Sequence, residues 1–349
     1  MKRVLIIKTS SLGDVIHTLP AITDALRAIG NIQFDWVVEE NFSEIASWHP
    51  GVSNVIPVQI RKWRKNPFKT LLSPEWSEFK ASVKAHKYDA VIDAQGLLKS
   101  AILLPLTRGK RYGLDKQSAR EPIASKFYDV KHHIPRTSHA VERTRQLFAK
   151  SLGYDVPENQ GDYGIAEQFK TEHKSPYVVL LHGTTWASKH YPEPYWQELI
   201  NLAASNNYQV KLLWGNQTEY DRAQRLADGK GSVEVMPKMS LKEIAALLTS
   251  AVGSIACDTG LGHLAAAVDC PNVSLFTSTN PGLSGAYGEG QLHLFAGYDC
   301  APCMLRECDK NAIEVNLGNL QQRISPPCAS TIDPEKVWNS FIELVQSLN

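Results

Sequence analysis

A chain of 349 residues is too long for one ordinary domain and comfortable for two, and its 43% hydrophobic and 21% charged residues are those of a globular enzyme. No apolar run is long enough to span a bilayer, and the first, VLII, is far shorter than a signal-peptide core. Six cysteines without an export signal argue against a disulfide scaffold, so a cytoplasmic address is expected. The formal net charge of +1 hides an asymmetry: residues 1–150 hold 24 Lys+Arg against 14 Asp+Glu, and the remainder 13 against 22. A basic half suits a phosphorylated or carboxylated ligand, an anionic membrane surface, or nucleic acid.

Short β-rich runs alternate with helical patterns. In the first half, residues 4–8, 34–38, 55–58 and 88–94 read as strands, and 19–29, 75–86 and 139–153 as helices. The first strand runs into KTSSLGDVIHTLP, the strand–loop–helix layout that usually receives a phosphate. Here, however, a single Gly13 is followed by Asp14, a fixed negative charge. Pro20 falls inside the first helical pattern, so that helix either starts late or kinks. Next, IRKWRKNPFK packs Arg61, Lys62, Arg64, Lys65 and Lys69 around Trp63 and Phe68; further basic groups recur at Arg120, Lys131, Arg136, His139, Arg143 and Arg145. A solvated basic face is the usual meaning of such a run, but interleaved aromatics leave open a membrane-interface patch or nucleic-acid stacking.

The polar stretch 153–176 is the expected boundary, giving residues 1–165 and 166–330 as domains and 331–349 as a terminal helix capped by Asp333 with Pro334 at its first position. Beyond the boundary, residues 177–182, 208–214, 233–237 and 253–258 read as strands, with helices over 192–205, 219–228, 240–251 and 263–268. The alternation predicts an α/β fold of two Rossmann-like domains, their parallel sheets facing one another across a cleft.

Two junctions in the second half carry phosphate chemistry. Gly183, Thr184 and Thr185, with Lys189 four residues on, offer hydroxyls, N–H groups and an ammonium to a diphosphate; a surface turn with capping threonines is the alternative. In ACDTGLGHLAAA, Asp258, Thr259, Gly260, Gly262 and His263 open an alanine-rich helix whose free N–H groups attract an anion; a plain helix cap is the alternative. Between them, Glu219 is placed to bond a ribose diol and Met239 to pack on a base. With a nucleotide diphosphate in the second domain, Asp14 becomes available to take a proton from a hydroxyl attacking an activated sugar, and otherwise caps its helix.

The strings KTSSLGDVIHTLPAITDA, DWVVEE, RKWRK, YDAVIDAQGLLKSA, AREPIASKFY, HAVERTRQLFAKSLGY, SKHYPEPYW, PKMSL and DTGLGHLAAA together resemble the heptosyltransferase I branch of the ADP-heptose:lipopolysaccharide heptosyltransferase family, from residue 1 to about 290. The resemblance implies the GT-B fold and transfer of L-glycero-D-manno-heptose from ADP-heptose to the Kdo of Kdo2-lipid A. It also implies inversion at the anomeric carbon, no metal or other cofactor, and peripheral contact with the cytoplasmic face of the inner membrane. On matching motifs, Asp14 is the base and Lys189 assists ADP departure. Thr184, Thr185, Trp214, Glu219, Met239, Asp258, Thr259, Gly260 and His263 hold the donor. Ser10, Gly13, Arg61, Lys62, Arg64, Lys65, Arg120, His139 and Arg143 form the acceptor region. Lys62 departs from the expected arginine pair, which keeps charge and weakens bidentate geometry.

The tail resembles heptosyltransferase II and other relatives more closely: Cys300, Cys303, Cys308 and Cys328 fit either a zinc site or, as read here, free thiols. Transfer of a second heptose is therefore one alternative, and a nucleotide-sugar-binding protein without turnover another. The acidic second half argues against a nucleic-acid partner.

Overall fold

Val4, Leu5, Ile6 and Ile7 are wholly buried in strand β1 (Lys2–Ile7), as an unbroken apolar run must be in a parallel sheet covered on both faces. A computed structural model describes residues 1–171, 175–318 and 320–348; residues 172–174, within the polar boundary stretch, lie outside it. The chain forms two compact units, Met1–Ile165 and Ala166–Asn349. In the first, β1 is joined by β2 (Ile32–Glu39), β3 (Val52–Val58), β4 (Ala90–Asp93), β5 (Arg111–Leu114) and β6 (Val130–His132), all parallel in the order β3-β2-β1-β4-β5-β6. Register places Ile7 beside Val37 on one side and Asp93 on the other. The loops after β1, β2 and β4 therefore leave the sheet at one level.

The second unit repeats the plan. Its strands β7 (Ser175–Leu181), β8 (Gln209–Leu212), β9 (Val233–Val235), β10 (Ala251–Cys257), β11 (Asn272–Phe276) and β12 (Gln291–Phe295) lie in the order β12-β11-β10-β7-β8-β9. Counted from its own first strand, this is the same 3-2-1-4-5-6 succession, the order of a doubly wound nucleotide fold. An antiparallel pair, β13 (Ile313–Leu317) and β14 (Leu320–Ile324), follows. The last helix, Pro334–Ser347, starts where Asp333 Oδ1 accepts the N–H groups of Glu335 (2.9 Å) and Lys336 (3.1 Å). It buries Val337, Trp338, Phe341 and Val345 in the same core as Val178, Trp196 and Leu199. Among the described residues no helix is long and apolar enough to cross a membrane.

Pro20 neither kinks nor breaks a helix. The chain forms one short helix, Leu12–Ile16, and a second, Leu19–Ile29, with Pro20 in the first turn, where its missing N–H costs nothing. Two members of the expected basic aromatic surface turn inward. Trp63 packs edge-on against Trp76 (5.2 Å between centroids) and lies 5.4 Å from Phe79, anchoring its segment to the helix Pro74–Lys84. Arg145, in the helix Ala140–Leu152, is 2% exposed and bonds Asp24 Oδ2 (2.6 Å), Glu142 Oε1 (2.9 Å) and the carbonyls of Pro157 (3.1 Å) and Asn159 (2.9 Å). It is a buried clamp joining two helices and the segment beyond them, not part of a basic face.

Removing one partner from such a pair strands a charge in the interior. Arg145→Met is expected to cost about 3–5 kcal/mol, read as a lower urea midpoint for the first unit's unfolding transition.

Candidate active site

In an open parallel sheet, loops diverge at the carboxyl ends where strand order reverses, and ligands bind there. In the first unit that point lies between β1 and β4. Past β1, Lys8 turns its Nζ onto the Ala94 carbonyl (3.0 Å) and toward Asp14 Oδ1 (3.4 Å). Asp14 Oδ2 accepts both the N–H (2.8 Å) and the Oγ–H (3.0 Å) of Ser11. Asp14, the third residue of the helix Leu12–Ile16, thus closes a capping box with the cap residue Ser11 and remains a partly exposed carboxylate, its side chain 34% accessible. Burial alone would raise its pKa, but the Lys8 ammonium and the Ser11 donors hold it below the ordinary 3.8. Gln95 Oε1 takes the N–H groups of Thr9 (3.0 Å) and Ser10 (3.1 Å), locking the loop to β4. The turn there needs glycine: Gly96 sits at φ +64°, 3.6 Å in Cβ terms from the Arg120 nitrogen.

Ser10 Oγ accepts from Lys99 Nζ. Burial lowers the Lys99 pKa, while Asp14 and Glu39 oppose the shift and Arg61 and Lys8 add to it. Glu39, at the end of β2, has its pKa raised by burial, offset in part by the Arg61 charge and the N–H groups of Arg61 and Ile60. Ser10, Asp14 and Arg61 are therefore linked, with Lys99 and Glu39, in one charged network; Gly13 lies buried in the short helix bearing Asp14. His139 caps the helix Ala140–Leu152, its ring 5.4 Å from that of His17, which ends the Asp14 helix. Arg143 Nη2 reaches the Ser118 carbonyl (2.7 Å), steadying the loop that carries Arg120. Arg64, Lys65 and Arg120 are exposed, as is Lys62, which stands 3.8 Å from Glu75.

In the second unit the reversal falls between β7 and β10. Asp258, 8% exposed, is the hub. Its Oδ2 lies 2.6 Å from Lys189 Nζ and accepts from Thr279 Oγ1, while its carbonyl takes the Thr184 hydroxyl (3.0 Å). Lys189 also lies 4.5 Å from the centroid of the Trp186 ring. Thr185 is exposed on the same loop. Thr259 caps the helix Gly260–Ala267, which carries His263, and Gly262 lets it approach β10, where a Cβ would come 3.3 Å from that of Ala256. Glu219 Oε2 accepts the Gly215 N–H (2.7 Å), and its carboxylate lies close over Gly183, where a Cβ would come 2.9 Å from Oε1 and push it aside. Trp214 stacks edge-on against Tyr220 (4.8 Å) and donates to the Met236 carbonyl (2.7 Å). Met239 is half-buried just before the helix Leu241–Ser250 and joins none of these bonds.

Sequence reasoning missed Lys99, Thr279 and Arg306. Arg306 lies 5.6 Å from the Trp186 ring, and its carbonyl accepts the Ser188 N–H (3.1 Å), so the tail loop grips the Lys189 loop. Its position among the cysteines concealed it, whereas the hydroxyl-rich TSTNP after β11 was a legible signal. Cys300, Cys303, Cys308 and Cys328 are unoxidised and line one small cavity with Ser188 and Thr277; burial and the other three thiols push Cys328 up to about 11. Among the described residues, no group of three or more His, Cys, Asp or Glu side chains is arranged as a metal site.

Two doubly wound units, one with a charged carboxylate loop and the other with a lysine-bearing, hydroxyl-rich loop beside a helix start, define an α/β glycosyltransferase of the GT-B class. Residues 76–313 match the model for glycosyltransferase family 9 (heptosyltransferase), and the chain belongs to that family. It is 53% identical over 341 residues to lipopolysaccharide heptosyltransferase 1 of Pseudomonas aeruginosa, covering 96% of each chain. The structure of Escherichia coli heptosyltransferase WaaC with ADP matches at 48% identity and a TM-score of 0.85, over 98% of this chain and 99% of that one. The same enzyme with ADP-2-deoxy-2-fluoro heptose matches at 47% and 0.81, with the same coverage.

With its pKa held below the ordinary 3.8, Asp14 should keep its charge to lower pH than an ordinary aspartate; Lys8→Met removes a charge that holds it there and should move its titration to higher pH, measurable by NMR titration of the carboxylate. Lys189→Ala deletes a charge-assisted contact and leaves the nearly enclosed Asp258 without its cation; it is expected to destabilise the second unit by about 1.5–3 kcal/mol, read as a lower urea midpoint.

Proposed function

We propose that the enzyme transfers L-glycero-D-manno-heptose from ADP-heptose to a Kdo residue of Kdo2-lipid A, with inversion and without a metal, at the cytoplasmic face of the inner membrane. The observation that carries this reading is the full-length likeness to a heptosyltransferase solved with ADP and with a fluorinated ADP-heptose. The Pseudomonas aeruginosa relative is a lipopolysaccharide heptosyltransferase 1, which favours first-heptose over second-heptose transfer, and its match over 96% of this chain leaves too little unmatched to hold the whole cysteine segment.

The proposal assigns each unit its part. The second unit holds ADP-heptose, its diphosphate over Thr184, Thr185, Lys189 and the amino end of the helix Gly260–Ala267, with Trp214, Glu219 and Met239 toward the adenosine. Arg61, Lys62, Arg64, Lys65, Arg120, His139 and Arg143, together with Ser10 and Gly13, receive the acceptor's carboxylates and phosphates. Asp14 takes the proton of the attacking Kdo hydroxyl as its oxygen bonds to the anomeric carbon. The bond from that carbon to the β-phosphate oxygen breaks, and its electron pair leaves on ADP. One displacement inverts the centre. Lys189 and the helix amino end offset the charge growing on the leaving oxygen, a role a divalent cation fills in other transferases. Lys189 is already drawn in by Asp258, so little reorganisation is needed as that charge develops.

Asp14→Asn keeps the Ser11 contacts' shape and removes the base. It is expected to lower kcat by about 10²–10⁴ while the ADP dissociation constant stays within about twofold. ADP release from ADP-heptose should be seen with Kdo2-lipid A and not with the same acceptor already carrying one heptose; the opposite preference would reassign the enzyme to the second transfer.

A further inference from the structure

The segment after β3 separates its apolar residues onto two sides. Ile60 is buried and Trp63 is wedged against Trp76 and Phe79, while Thr70 Oγ1 turns back to the carbonyls of Trp63 (3.2 Å) and Asn66 (2.9 Å). Phe68, Leu71 and Leu72, at i, i+3 and i+4 of the helix Pro67–Leu71 and its helical end residue, share the other side. They are 84%, 57% and 89% exposed. Among the described residues, no other stretch of five exposes three large apolar side chains. Isolated exposed leucines need no explanation, but a contiguous trio presented outward by a pinned segment does.

The surroundings of the trio select its occupant. Arg61, Lys62, Arg64, Lys65 and Lys69 stand exposed in the same dozen residues, and among them only Lys62 pairs its side-chain charge with a carboxylate within 4 Å, while Glu39 accepts the Arg61 backbone N–H. A protein partner for an apolar ridge would need a matching acidic rim. A bilayer with anionic headgroups supplies both halves at once: acyl carbons for Phe68, Leu71 and Leu72, and phosphates for the cations. We infer that residues 60–72 are a membrane-docking element whose apolar ridge enters the headgroup boundary of an anionic bilayer, with the basic residues at the lipid phosphates. The inference rests on the proposed lipid-borne acceptor for its purpose, though not for its test. Docking here would place the acceptor-binding arginines at the level where a membrane-anchored sugar emerges.

The probe is a set of acceptor-free phosphatidylcholine vesicles with and without about 30% phosphatidylglycerol, assayed by flotation. The full chain should partition to the anionic vesicles and fall by roughly tenfold or more in the triple variant F68S/L71S/L72S, whose three side chains are all more exposed than buried, so that it should keep its melting temperature. Transfer to a water-soluble, deacylated acceptor should be unchanged in that variant, while KM for acceptor embedded in anionic vesicles rises. The proposal is overturned if the variant floats as well as the parent, or if the parent does not prefer anionic vesicles. A parent dimer that the substitutions convert to monomer would also overturn it, because the ridge would then be a contact between two copies. If the parent transfers heptose to neither acceptor, the proposed function fails, and the flotation result still decides the docking element.

Discussion

Parallel strands must be connected by crossovers, and a sheet covered on both faces must send those crossovers to opposite sides at the point where its order reverses. That constraint places the chemistry of this chain. Between β1 and β4 it opens the gap in which Lys8, Asp14, Gln95 and Lys99 meet, and between β7 and β10 the one in which Gly183, Thr184, Lys189 and Asp258 meet. The loops arrive level because register fixes Ile7 opposite Asp93, and Ala256 opposite both Leu181 and Ser274.

Both gaps pair charges rather than presenting them singly. Lys8 faces Asp14 and Lys189 faces Asp258, so each of these two lysines is held by a carboxylate. The arrangement costs some attraction for the ligand and gains fixed orientation, which matters more for a transfer whose charge moves only in the transition state. The two pairs differ in what remains available. Asp14 keeps a third of its side chain accessible, whereas Asp258 is almost enclosed and serves as the lysine's anchor.

How much of this could be read beforehand divides along sequence distance. Long buried runs announced β1, β7 and β10, and Asp333-Pro334 announced the last helix, since burial and capping act within a few residues. β5 and β6 escaped notice because RYGL and VKH are short and half-exposed, carrying no periodicity. β11 and β12 passed unread beside the stronger alanine helix. Charge was misread where its partner lies far along the chain: Arg145 looked like surface until Asp24, 121 residues away, was set against it. Trp63 and Phe68 looked alike as interleaved aromatics, yet Trp76 and Phe79 draw one inward and leave the other out. Lys99 and Arg306 are visible only through contacts of 89 and more than a hundred residues.

The tail's hold on the Lys189 loop reaches beyond architecture. Leu305 and Arg306 accept the Ser188 hydroxyl and N–H, Arg306 covers one flank of Trp186, and Tyr191 bonds the Ile332 carbonyl at 2.7 Å. The Lys189 loop is thereby braced by a stretch more than a hundred residues downstream. Drift in that stretch would loosen the grip of Asp258 on the ammonium, so two relatives with the same strands can still differ in how firmly that charge is held.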